Sequence, residues 1–289
     1  MLINLNGRLV PEQEGVVSVF DRGFLFGDGV FESMRAYDGR VFRLPQHLNR
    51  LERSAALVGL EGGPAGARLA TAIGELLSVN RLGDARLRLT LTRGEGRPGD
   101  YIGTVGPPTL VISASPFAGL DGALVDAGVP VTIASRCAVP ADCVDPAIKS
   151  ISRMASVLAR REASESGAFE TILVDATDRL TEGTSSNLFL VTGGGRLLTP
   201  AAPGGALPGV TRAAVLEVAA AAGLEIREAD LPVGLLGAAD EVFLTNTSWE
   251  VLPVARVDGR PVGHGRPGPV TRNLLARYRD LVRRECRGV

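Results

Sequence analysis

Pro146-Ala-Ile-Lys-Ser-Ile-Ser-Arg-Met154 carries Lys149, the single lysine of a 289-residue chain that has 31 Lys and Arg residues in all. A guanidinium stays protonated at working pH, whereas a primary amine can lose its proton and form a Schiff base with an aldehyde. The Ala-, Gly- and Arg-rich usage points to replacement of lysine by arginine wherever a fixed charge suffices. The retained amine is then a candidate reactive group. A surface lysine left by the same drift is the competing reading.

That one lysine also closes other chemistries. A P-loop and the kinase strand lysine both need lysines in contexts this chain lacks. Pro146 stands where a Ser-x-x-Lys nucleophile would need serine, and Gly183-Thr-Ser-Ser-Asn187 is not a Gly-x-Ser-x-Gly elbow. With only His47 and His264, and with Cys137, Cys143 and Cys286 forming no Cys-x-x-Cys pair, neither a metal site nor a disulfide framework is expected. A net charge of −1 argues against a nucleic-acid partner. No apolar run reaches the roughly 18 residues of a membrane helix, and Met1–Arg8 does not read as a signal peptide. The expectation is a soluble cytoplasmic protein without a membrane partner.

Outward from Lys149, the periodicity predicts a helix over Ile151–Glu165, with Ile151, Met154, Ala155 and Leu158 on one face, between strands at Val131–Ala134 and Thr171–Asp175. Toward the N-terminus, residues 2–5 and 8–10 form a hairpin about Asn6-Gly7. Strands follow at Val30–Tyr37 and Val41–Leu44, helices at His47–Leu60 and Ala67–Val79, and strands at Leu87–Thr92 and Thr109–Ser113. Toward the C-terminus, strands at Leu188–Val191 and Leu197–Thr199 flank Gly193-Gly-Gly195. A helix then runs from Thr211 to about Ala222, strands lie at Glu241–Thr245 and Ala255–Val257, and a helix covers Pro269–Arg284. This mixture without strict alternation predicts a two-domain α/β (α+β) fold rather than a doubly wound sheet. The expected domains are 1–115 (smaller) and 123–289 (larger, cofactor-binding), joined by a linker at 116–122.

If Lys149 holds pyridoxal 5'-phosphate, the chain needs a carboxylate for the ring nitrogen, a phosphate site and a place for the substrate carboxylate. Glu182 falls in Leu180–Asn187, expected to be a turn between strands. Leu207-Pro-Gly-Val-Thr211 opens a helix, Arg50 lies on the helix His47–Leu60, and Thr245-Asn-Thr-Ser248 ends a strand. Each alone also reads as an ordinary turn or surface residue; their joint presence carries the inference.

The order of these motifs resembles the class IV aminotransferases, the fold-type IV pyridoxal phosphate enzymes, which include branched-chain and D-amino acid aminotransferases and aminodeoxychorismate lyase. The matching stretches are Asp21–Glu32, Arg43–Leu51, Ile148–Ser150, Leu180–Leu190, Leu207–Arg212 and Phe243–Val254. The resemblance implies Lys149 as Schiff-base lysine and proton shuttle, and Glu182 as partner of the ring nitrogen. It implies Arg50, the amides of Val210 and Thr211, and Thr247 or Ser248 as phosphate ligands, with Leu207 packed on the ring. It further implies amino acid and keto acid substrates and a homodimer.

Within the family the signals divide. Phe31 is similar to the branched-chain group, as is the spacing of Arg88 before Gly94. Thr92-Arg-Gly94 resembles the D-amino acid group, but Arg97 is one position off and Asp100 replaces its histidine. Phe31, Arg88 and Arg97 are the candidate substrate residues. Lys149–Met154 is similar to the lyase segment. The reading is transamination of small α-amino acids, with the lyase and a non-catalytic homologue as alternatives.

Overall fold

In Gly29–Tyr37 the residues alternate: Val30, Glu32, Met34 and Ala36 share one face of the strand, while Phe31, Ser33 and Arg35 share the other. This strand organises the first of two compact units in a computed structural model that describes residues 1–97, 99–100, 105–136, 138–202 and 205–287. The first unit comprises Met1–Ala118, Ile148–Arg153 and Val282–Val289; the second comprises Gly119–Ala147 and Met154–Leu281.

The first unit holds β1 (Leu2–Leu5), β2 (Arg8–Pro11), α1 (Arg22–Phe26), β3 (Gly29–Tyr37), β4 (Arg40–Val41), α2 (Leu44–Leu57), α3 (Gly66–Val79), β5 (Ala85–Thr92) and β6 (Thr109–Pro116). Six strands form an antiparallel sheet in the order β2-β1-β6-β5-β3-β4. Val30 and Met34 on β3, with Leu87, Leu89 and Leu91 on β5, meet Leu48, Leu51, Leu69, Ile73 and Leu76 of the two long helices in one core. The expected strand Val41–Leu44 stops at Val41. Arg43 is left-handed (φ 55°) and Pro45 sits in the first turn, so α2 starts at Leu44. The other end of α2 is held by Arg93, which donates to the carbonyls of Val58 and Gly59 (both 2.7 Å) and grips Asp28 (2.9 and 3.1 Å).

Lys149 reaches this unit through a short pairing with β3. Phe31 N donates to Lys149 O (2.9 Å), Ile151 N donates to Gly29 O (3.0 Å), and Val30 bridges Ser150. Residues 149–151 are therefore extended, and the helix expected from Ile151 begins only at Met154.

The second unit holds α4 (Gly122–Ala127), β7 (Val129–Ile133), α5 (Met154–Ser166), β8 (Glu170–Val174), β9 (Arg179–Gly183), β10 (Asn187–Thr192), β11 (Arg196–Pro200), α6 (Val210–Ala221), β12 (Ile226–Ala229), β13 (Leu231–Pro232), α7 (Leu235–Ala238), β14 (Glu241–Asn246), β15 (Glu250–Val257), β16 (Arg260–Pro261) and α8 (Pro269–Val282). Its mixed sheet runs β12-β11-β10-β14-β15-β7-β8-β9-β13, with β16 on β15. The predicted face of α5 is corrected: Ala159 and Ala163 are buried, whereas Met154 is 68% exposed and Leu158 is also open to solvent. Glu182, expected in a turn, lies on β9. Of the expected linker, residues 117–121 fall between β6 and α4. Cys143 and Cys286 are free thiols, and Cys137 lies outside the described residues. Among the described residues no helix is long and apolar enough to cross a membrane.

Candidate active site

The two faces of β3 carry two different charge arrangements. On the core face, Glu32 is fully buried and receives Arg50 through both oxygens, Nε to Oε1 and Nη2 to Oε2, each 2.7 Å. His47 lies one helical turn before Arg50 on α2, so both reach the same carboxylate, with His47 Nδ1 2.7 Å from Glu32 Oε2. Burial alone would raise the Glu32 pKa. The charge of Arg50 and the hydrogen bonds from Arg50 and His47 outweigh it and hold the group at about 2. Burial, opposed by Glu32 and reinforced by the charges of Arg50 and Lys149, pushes His47 below its usual range. An ionised Glu32 can only accept, so the neutral imidazole carries its proton on Nδ1.

On the opposite face, the Phe31 ring gathers cations. Arg88 Cζ lies 4.1 Å from its centroid, Lys149 Nζ 4.7 Å and Arg153 Cζ 5.8 Å. Sheet register explains this: Thr90 pairs with Phe31 and Arg88 with Ser33, so all four side chains share that face, and Arg88 Nε donates to Thr90 Oγ1 (3.2 Å). Partial burial, and then the charge of Arg153, pull Arg88 below the usual arginine range. Behind Lys149, its own amide donates to the buried hydroxyl of Ser54 on α2 (3.1 Å). Arg97 is exposed in the loop after β5, and its amide donates to Asp100 (2.6 Å).

In the second unit, Glu182 Oε2 accepts from the amide of Leu207 (2.9 Å) and from Asn187 Nδ2 (3.4 Å), and the same Asn187 nitrogen donates to Leu207 O (2.8 Å). The carboxylate and the start of α6 are thus one hydrogen-bonded piece. Gly209 caps α6 without a side chain, leaving the first-turn amides of Val210 and Thr211 with no intrahelical partner. Beside it, Asn187 pairs in register with Thr245, whose buried hydroxyl has no hydrogen-bond partner. Thr247 and Ser248 follow in a turn organised by Asn246, which accepts from the amides of Ser248 (2.9 Å) and Trp249 (2.7 Å) and donates to Ser185 O (3.0 Å). Buried Glu170 fixes the turn after Glu182 by accepting from Thr184 (2.5 Å), Ser185 (3.0 Å) and Arg160 (3.0 Å). Open amides at a helix start, clustered hydroxyls and an orphaned threonine suit a phosphate group, and a half-buried carboxylate tied to the same helix start suits a protonated ring nitrogen. The donor set fits pyridoxal phosphate.

The structure thus brings Lys149, Phe31 and Arg88 together in one unit, and Glu182, Leu207, Val210 and Thr211 in the other. Sequence reasoning missed Glu32, Ser54, Arg153, Glu170, Asn187 and Asn246. An acidic residue at a core position of β3 was the one available signal for Glu32.

Residues 29–257 match the family model for amino-transferase class IV. The chain is a class IV aminotransferase. It is 38% identical over 281 residues to a Methanocaldococcus jannaschii protein assigned as a branched-chain-amino-acid aminotransferase, covering 97% of this chain and 96% of that one. It is 33% identical to the D-alanine aminotransferase of Bacillus licheniformis, covering 98% and 97%. The T.th. branched-chain amino acid aminotransferase, solved with pyridoxamine 5'-phosphate, superposes with a TM-score of 0.93 at 32% identity, covering 99% and 96%. This aminotransferase accordingly has the α/β fold of the fold-type IV enzymes and uses pyridoxal phosphate. These relatives favour transamination over the lyase alternative.

Proposed function

We propose that the aminotransferase moves an amino group between a small α-amino acid and a 2-keto acid, with Lys149 as Schiff-base lysine and proton carrier. The observation that carries the reading is the position of Lys149 Nζ beside Phe31 and Arg88, on a segment clamped to β3. When bound, pyridoxal phosphate supplies the aldehyde and an electron sink. Glu182, steadied by Leu207 N and Asn187, would accept the ring N–H. Arg50, the amides of Val210 and Thr211, and the hydroxyls of Thr247 and Ser248 would hold the phosphate, and Leu207 would pack on the ring. Lys149 Nζ, as an amine able to gain and lose a proton, would carry the substrate's α-proton. Phe31, Arg88 and Arg97 contact the substrate.

The names of the relatives, branched-chain and D-alanine aminotransferases, support an aliphatic donor, either a branched-chain L-amino acid or a D-amino acid. A homodimer in the cytoplasm completes the proposal. The dimer is supported by an exposed apolar stretch in which Val16 and Phe24 are 75% and 74% accessible and Val19 and Phe26 are also open.

The test is a spectrophotometric half-reaction of reconstituted protein with a panel of L- and D-amino acids and with aminodeoxychorismate. Loss of the Schiff-base absorbance with an amino acid, and its return with a keto acid, is the expected result. Pyruvate released from aminodeoxychorismate alone would make the lyase reading correct.

A further inference from the structure

Arg153 stands four residues after Lys149 on the segment that Phe31 N and Ile151 N tie to β3, so the two cations are carried by one clamped piece of backbone. Both lie against the Phe31 ring together with Arg88, at 4.7, 5.8 and 4.1 Å from its centroid. The acidic neighbour in sequence, Glu32, faces the other side of the sheet, where Arg50 and His47 engage it.

The dimensions select the anion. In an α-amino acid the nitrogen and the carboxylate are separated by a single carbon. A substrate whose nitrogen replaces that of Lys149 must therefore place its carboxylate within a few ångströms of the same spot. Guanidiniums in that position offer forked donors matched to a carboxylate. We infer that Arg153, with Arg88, anchors the α-carboxylate of the substrate and so gives the enzyme its preference for amino acids over plain amines. Phe31 is the apolar floor between the two guanidiniums and the amine. The inference rests on Lys149 as the Schiff-base lysine.

The holoenzyme and its Arg153→Met and Arg153→Lys variants would be compared in the half-reaction with leucine or D-alanine, whichever reacts. The amine of the same side chain (3-methylbutylamine or ethylamine) is the control. Loss of a charge-assisted anchor lowers kcat/KM for the amino acid on the order of 10- to 100-fold, mainly through KM. The amine's value stays unchanged, and Arg153→Lys recovers part of the loss. Calorimetric titration with 4-methylpentanoate, a carboxylate without an amine, weakens by a similar factor in Arg153→Met, while the affinity for pyridoxal phosphate stays within about twofold. Equal losses for amino acid and amine, no loss for either, or weaker cofactor binding would each overturn the inference. If the wild-type protein forms no Schiff base at Lys149, the cofactor reading fails on its own, and the 4-methylpentanoate titration still decides whether Arg153 binds a carboxylate.

Discussion

Glu32 and Arg50 meet through two parallel 2.7 Å hydrogen bonds, with side-chain accessibilities of 0% and 5%. The pair joins a strand of the sheet to the helix packed on it. A buried pair of this kind contributes little net energy while intact, and removing one member is costly. Replacing Glu32 by leucine leaves Arg50 buried without its carboxylate. The expected loss is about 3–5 kcal/mol, read as a shift of the urea midpoint at unchanged slope.

The same residues set an acid limit. Glu32 titrates at about 2 in the folded chain, against an ordinary value of 4.5, so its stabilisation is complete above pH 4.5 and lost as pH falls through about 2. That shift means the fold favours the ionised over the protonated carboxyl by about 3 kcal/mol, a pH-dependent term distinct from the net worth of the pair. His47 is held below its ordinary 6.5, so the unfolded chain binds its proton first and stability also declines as pH drops below 6.5. Chemical denaturation between pH 8 and 5 checks this: the decline from pH 7 to 5 should be shallower in His47→Gln than in the wild type.

Lys149 is the only side chain able to retain a reduced Schiff base. Treating the reconstituted enzyme with borohydride should attach the cofactor to one peptide, that containing Lys149, by mass spectrometry. Lys149→Arg keeps the charge but removes the titratable amine. It should lose the Schiff-base absorbance and turnover together, and substantial turnover in that variant would refute the assignment.

Gly209 tests the start of α6. Its φ of −67° is ordinary for any residue, so its requirement is one of space. A Cβ there would lie 2.0 Å from Asn187 Oδ1 and 3.2 Å from Arg212 Cβ. Asn187 cannot yield easily, because its amide nitrogen is engaged by Leu207 O. Gly209→Ala should cost about 1–3 kcal/mol of stability and weaken pyridoxal phosphate binding by roughly tenfold or more, measured by titration of the apoenzyme.

The parts of the molecule legible in sequence are those decided locally. Asn6-Gly7 announces a hairpin, the Leu207-Pro-Gly-Val210 run announces a helix start, and the solitary lysine announces its own chemistry. The trio Glu32, His47 and Arg50 was not legible, because its members come from a strand and a helix and are joined only when Val30 and Met34 pack that strand face on α2. The true start of α5 was obscured for a related reason. Ile151 and Met154 fit a helical period, yet Ile151 is committed to Gly29, an interaction 122 positions away along the chain. Alanines 159 and 163 are buried where larger neighbours are not, since the close packing of α5 on β7 and β8 favours small side chains.

Ile148–Arg153 belongs to the unit formed mainly by residues 1–118, although the chain on both sides of it belongs to the other. The polypeptide therefore crosses between the units four times, and the reactive amine is delivered on one of the returns. No single genetic crossover exchanges one whole unit for a relative's, and any crossover between residues 31 and 149 parts Lys149 from the strand that holds it. In evolutionary terms the amine and its supporting sheet are inherited as a set, and recombination within this family is expected to preserve residues 29–31 and 149–151 from the same parent.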